Sequence, residues 1–251
     1  MTAVDDLDHP VQRFRPAGRV VSLVPSLTES IAATRPDALV GATDWCTHPA
    51  DLDVTRVRGT KNPDRAAIAS LKPDLVLANR EENRELDVRR LRKAGIEVWV
   101  TVIETVDEAF ASLDRMFREG LGWDLPPWLN AAGEVWAAPA PSSGRRVAIP
   151  IWRDPWMVVG SHTFTGDLVS RLGLVNAFDD ADDRYPHVDL AEIDRDDIDV
   201  VLLPDEPYVF TADDGPEAFT RAPTALVSGR ALTWYGPSML TARDELLAAI
   251  G

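Results

Sequence analysis

Cys46 and His48 stand two residues apart in the segment TDWCTHP, with Asp44 close by. A thiolate and an imidazole so spaced can hold a soft or borderline metal ion. Two ligands do not complete a site, however, and the chain has no second cysteine. The competing reading is a small buried thiol. A second group is acidic: Asn79-Arg80-Glu81-Glu82-Asn83. One carboxylate at a helix start would answer the helix dipole. Two adjacent ones, flanked by Arg80 and two asparagines, exceed what a cap needs and could contact a ligand. Lys61, Arg153 and Arg184 are loop cations able to grip carboxylates or phosphates, and each also reads as a surface charge. Glu206 and Tyr208 share the loop PDEPYVF.

The aromatic residues point the same way. Trp45, Trp152, Trp156 and Trp234, with Tyr208, Phe210 and Tyr235, all fall in loops that follow short apolar runs. Flat, rigid rings there suit a large planar or cage-like ligand. The competing reading is that some of them cap sheet ends as minor core. Trp99, Trp123, Trp128 and Trp136 lie in a strand or a helical segment and read as packing. The chain lacks GxGxxG after the first strand, GxxxxGK[ST], GxSxG and HExxH. The residues thus suggest a binding surface without catalytic apparatus.

Elements must position these loops, and their pattern is α/β. Strands are expected at Val20–Val24, Leu39–Ala42, Leu75–Ala78 and Ile96–Val102, with helices between them. Ser26-Leu-Thr-Glu29 has capping-box spacing and predicts a helix from near Thr28. Asn62 before Pro63 predicts a cap for a helix over Ala66–Leu71. A helix over Glu82–Ala94 should stop at Gly95. Residues 105–138 read as helix interrupted by Gly120, Gly122 and Pro126-Pro127. The second half repeats the alternation: strands at Val147–Ile151, Val200–Leu203 and Leu226-Val227, helices at Thr165–Leu172, Leu190–Asp194 and Ser238–Ile250. Alternation of this kind implies parallel sheets with helices on both faces.

The chain also says one thing twice. LKPDLVLANREEN (71–83) matches DDIDVVLLPDEPY (196–208), and GRVVSLVPSLTES (18–30) matches RRVAIPIWRDPW (145–156). The expected architecture is two parallel-sheet α/β lobes joined by a linker helix: an N-terminal lobe over 1–104, a linker over 105–144 and a C-terminal lobe over 145–251. The ligand is expected in an aromatic-lined cleft between lobes, with the 79–83 and 204–210 loops on opposite walls.

The 251 residues, 45% hydrophobic and 27% charged, suffice for packed cores. The formal net charge of −15 argues against nucleic acid and anionic membrane as partners. No run is long and apolar enough for membrane insertion. The N-terminus has no basic start followed by an apolar stretch, and one cysteine fits a reducing compartment. A cytoplasmic protein is expected, or a periplasmic or extracellular one if a leader was trimmed.

VVSLVPSLTESI, GATDWCTHP, GTKNPD and LKPDLVLA resemble the N-terminal lobe of class III periplasmic binding proteins, the helical-backbone metal receptors. WMVVGSHTFTGDLVSRLGLVNAF, RYP and DDIDVVLL resemble their second lobe. The resemblance covers residues 18–250 and is closest to a leaderless subgroup with GTKNP, EEN, PWM, EPY and WYG loops. It implies a substrate-binding protein of the ABC-transporter type, not an enzyme. Its ligand would be a corrinoid such as cobalamin, or an iron chelate. Family members present a glutamate on each lobe to a permease. The corresponding places here are Ala66 and Ala191, with Asp64 and Glu192 nearby, which puts permease docking in doubt. The alternative is a cytoplasmic metal-binding protein or enzyme using Cys46, His48, Glu81, Glu82 and Glu206.

Overall fold

The computed structural model describes residues 2–251. It divides into two compact units: 1–103 with 107–130 and 235–237, and 104–106 with 131–234 and 238–251. The first begins with a hairpin of Thr2–Val4 (β1) and Pro10–Gln12 (β2). Then come Val20–Ser22 (β3), helix Pro25–Ala32 (α1), Leu39–Ala42 (β4), Thr55–Arg56 (β5), helix Arg65–Ser70 (α2), Leu75–Asn79 (β6), helix Glu85–Lys93 (α3) and Val98–Thr101 (β7). The sheet order is β5-β4-β3-β6-β7, all parallel. Every β6 and β7 residue is buried, as strands covered on both faces require. Val21, Val76, Ile68, Val88 and Leu91 meet in one core.

Helix Val106–Arg115 (α4) runs into a π-helical stretch, Met116–Leu121, that ends on Gly122 in the left-handed conformation. A Cβ at Gly120 would come within 2.8 Å of the Trp99 ring, so glycine lets this turn lie on the indole. Pro127–Trp136 (α5) resumes the helix after the Pro126-Pro127 interruption.

The second unit holds Arg146–Ala148 (β8), the hairpin Pro150–Trp152 (β9) and Met157–Val158 (β10), helix Phe164–Arg171 (α6), Val175–Asn176 (β11), helix Leu190–Ile193 (α7), Val200–Pro204 (β12), Thr224–Val227 (β13), helix Gly229–Thr233 (α8) and helix Met239–Ile250 (α9). Its main sheet is β11-β8-β12-β13, again all parallel. The repeat is therefore a repeat of topology. β11-β8-β12-β13 reproduces β4-β3-β6-β7 strand for strand, and β6 and β12 are equivalent. Val147–Ile151, read as one strand, is two: β8 ends at Ala148 and β9 pairs with β10.

Local chemistry moved several boundaries. α1 begins at Pro25, with Val24 as an extended N-cap; the Thr28 hydroxyl bonds back to the Val24 carbonyl at 2.9 Å. Asp64, not Asn62, caps α2 by accepting the Ala66 and Ala67 amides at 3.1 and 3.0 Å. α3 starts three residues later than expected because Asn83 is committed to the preceding loop. α7 carries a capping box of Asp189 and Glu192. No helix among the described residues is long and apolar enough to cross a membrane.

Candidate functional site

In an open parallel sheet the carboxyl ends of the strands carry the binding loops. In the first unit two asparagines knit those loops together. Asn83 Oδ1 accepts the Asn79 amide at 2.9 Å, and Asn83 Nδ2 donates to the Thr60 and Leu23 carbonyls at 3.0 and 3.3 Å. Asn79 Oδ1 accepts the Glu81 amide at 2.8 Å, and its Nδ2 donates to Thr101 Oγ1 and O at 3.1 and 3.2 Å. Both side chains are buried. They are struts that tie the ends of β3, β6 and β7 and the 59–64 turn into one platform, and they account for the asparagines without ligand contact.

On this platform Glu81 is exposed and Glu82 half-buried. Lys61 Nζ donates to the Glu81 carbonyl. Burial pushes the Glu82 carboxyl above the ordinary glutamate range; the Lys61 charge opposes that shift and the Glu81 charge adds to it. Arg80 is exposed. Trp45 is 66% exposed, and its indole Nε1 lies 3.3 Å from where a Gly59 Cβ would stand. Tyr235 belongs to this unit although it lies near the chain's end. Its ring is 7% exposed, and its hydroxyl bonds the side chains of Ser26 and Thr101. Burial, and then the Glu82 charge, push its phenol far up. Ser26, read from sequence as half of a capping box, serves Tyr235 instead.

Cys46 is buried, with its Sγ 3.0 Å from Thr28 Oγ1 and 3.1 Å from Thr43 Oγ1. Burial raises the thiol pKa, which disfavours the thiolate a metal needs. His48 Nδ1 is 3.1 Å from Thr47 Oγ1. Among the described residues no group of three or more His, Cys, Asp or Glu is placed to hold a metal ion.

The second unit's loops divide into surface and core. Trp152 is 45% exposed and meets Tyr208 edge-on at 5.6 Å. The Tyr208 hydroxyl donates to Asp214 at 2.7 Å, and that bond raises its pKa. Arg153 is engaged internally: Nη1 bonds Asp214, and Glu217 at 2.7 Å, and its guanidinium lies 5.3 Å over Trp156. Trp156 is core, stacked on Phe210 at 6.0 Å and edge-on to Phe219 at 5.5 Å. Trp234 is also buried. The half-buried Glu206 packs on Gly229 at the start of α8. Arg184 bonds Glu104, and His162 lines a separate cavity of about 230 Å³ with Glu104, Asp167 and Asp179. Of the four loop tryptophans, Trp45 and Trp152 present surface, while Trp156 and Trp234 pack inward.

No protein-family model matches the chain. The chain is similar to the vitamin B12-binding protein of Vibrio cholerae serotype O1: 24% identical over 188 residues, covering 71% of this chain and 67% of that one. Among solved structures, the periplasmic vitamin B12 binding protein of Vibrio cholerae superposes with a TM-score of 0.71 at 20% identity, covering 94% of this chain and 97% of that one. A periplasmic heme-binding protein from Roseiflexus superposes with a TM-score of 0.75 at 19% identity, covering 93% and 98%. The fold is that of these two-lobed periplasmic binding proteins. The three proteins just described are binding proteins by name. Both of these solved neighbours are named as periplasmic, so the expectation of a cytoplasmic protein finds no support in them.

Proposed function

We propose that the chain is a non-enzymatic small-molecule-binding protein whose ligand is a corrinoid such as cobalamin, or an iron chelate. The observation that carries this reading is the strutted platform of the first unit. It holds Lys61, Arg80, Glu81 and Glu82 on loops that are already ordered, and the exposed Trp45 stands against the Gly59 turn tied to the same platform. An apolar ring with a few fixed polar groups is the composition of a preformed ligand surface. The names of the relatives support the same class of ligand. Trp152 and Tyr208 are the second unit's candidates for contact. Tryptophan fluorescence, titrated with cobalamin, cobinamide, haem and ferric siderophores, tests the proposal. Quenching by at least one, weakened in Trp45→Phe, is expected. No quenching by any at micromolar concentrations removes the reading.

A metal-handling protein or enzyme built on Cys46 and His48 has less support, because the thiol is buried between two threonine hydroxyls. Stoichiometric metal in purified protein, lost on Cys46→Ala, would restore that alternative. Docking to a permease through glutamates also lacks support. Asp64 and Glu192, the carboxylates nearest Ala66 and Ala191, accept backbone amides as helix caps.

A further inference from the structure

The charge of this chain is segregated. Residues 56–93 hold eleven Lys and Arg against six Asp and Glu, a net +5 inside a chain of −15, so the remainder carries −20. Structure concentrates part of that excess on one helix. In α3, Val88 and Leu91 face the core. Helical spacing then puts Leu86, Arg89, Arg90 and Lys93 (i, i+3, i+4, i+7) along the opposite side, and all four are exposed. Leu86 is 42% exposed amid the three cations. Asp87 extends the patch to α2, lying 3.8 Å from Arg65 and 3.9 Å from Arg90. A helix C-terminus welcomes one or two cations. Arg92, turned inward to Asp5 and to the Val98 carbonyl, serves the end of this helix. The dipole does not account for Arg65, Arg89 or the exposed leucine.

We propose that this face of α3, with Arg65, docks on an anionic lipid surface. A specific protein interface is built round an apolar core, and this face offers a single exposed leucine. Adsorption to headgroups needs neither. It needs clustered cations and some apolar area to enter the headgroup boundary. On the patch itself Asp87 and the exposed Glu85 offset two of the four cations and leave a net +2, and charges farther away than about 8 Å are screened at physiological salt. This is surface adsorption and needs no membrane-spanning helix; none among the described residues is long and apolar enough to be one.

Flotation of the full-length protein with vesicles tests this, comparing phosphatidylcholine containing phosphatidylglycerol with phosphatidylcholine alone. The expected result is flotation with the anionic vesicles only, fading as salt rises. Joint reversal of Arg89, Arg90 and Lys93 to Glu should weaken it about a hundredfold. Leu86→Ala should weaken it severalfold. Arg118→Glu, an exposed cation elsewhere in the same unit, should leave it unchanged. Circular dichroism of each variant confirms folding, since none of these side chains enters the core. Absence of flotation at low salt, or flotation that survives the triple reversal, overturns the proposal. So does binding to duplex DNA or polyglutamate as tight as to the vesicles and indifferent to Leu86→Ala, which would mark a general polyanion site.

Discussion

Asn83 Oδ1 accepts the backbone amide of Asn79 at 2.9 Å, closing a ring inside the loop that follows β6. The same Asn83 side chain reaches the Leu23 and Thr60 carbonyls. Removing it leaves an amide and two carbonyls in a buried place without this partner. Asn83→Ala should therefore cost about 2–3 kcal/mol, the scale of a buried network that loses one member. Denaturant unfolding measures the loss. Amide exchange at Glu81 and Glu82 should quicken more than in the core of β6. Equal quickening everywhere would reduce Asn83 to ordinary packing.

Glu82 predicts an unusual pH dependence. Burial raises its folded-state pKa above that of an unfolded glutamate. The folded protein then holds this proton more tightly than the unfolded chain does. That contribution is fully present below the unfolded value of about 4.3 and is lost as pH rises through the folded value. Above the unfolded value the carboxyl is therefore a burden on the fold. Glu82→Gln should raise the Tm at pH 7, and the gain should vanish as pH falls below the unfolded value. If the proposed ligand contacts Glu82, the same variant should bind it more weakly. A lower Tm at pH 7 would show that the charge is compensated by Lys61 after all.

What was legible in the sequence depended on local pattern. Within the paired segments, LVLAN and VVLLP are strands β6 and β12, and the sheets around them share one order. Pro126-Pro127 marked a break in the helical run, and the helix resumes at Pro127 because proline suits a first turn. The β1–β2 hairpin gave no signal, since three-residue strands carry too short a period to read. Trp45 and Trp156 sit in similar loops, yet one is at the surface and the other stacks on Phe210, a residue 54 positions later. Arg153 read as free to meet a ligand because its partners, Asp214 and Glu217, are about sixty residues away. Tyr235 follows the second unit's elements in sequence, but bonds Ser26 and Thr101 of the first. Each miss is a tertiary contact that no spacing rule encodes.

Cys46 should behave as a structural thiol. Its sulfur is buried between Thr28 and Thr43, and burial holds it protonated. A disulfide reagent should label native protein at least about a hundredfold more slowly than unfolded protein, because the thiolate is the reactive form. Cys46→Ala should cost about 1 kcal/mol for the small cavity and lost contacts. Fast labelling under native conditions would instead mark an accessible, reactive cysteine and reopen the metal reading.

Two glycines should respond to alanine with opposite signs. At Gly229 a Cβ would stand 2.3 Å from Glu206 Cγ and 2.9 Å from the Glu206 backbone N and O. The side-chain atom can swing away. The two backbone atoms cannot, unless the loop between β12 and Phe210 moves. That loop is also held from below, since the Gly229 amide donates to Asp205 Oδ1 at 2.7 Å. Gly229→Ala should then cost about 2 kcal/mol or more, typical of overpacking against rigid neighbours. It should also disturb the Tyr208 ring, visible in near-ultraviolet circular dichroism. Gly133 lies inside α5, where a Cβ would meet nothing within 4 Å. There alanine only narrows the unfolded ensemble and favours the helix, so Gly133→Ala should add about 0.5–1 kcal/mol. Similar responses at both sites would mean that the crowding at Glu206 is relieved by a loop freer than its hydrogen bonds imply.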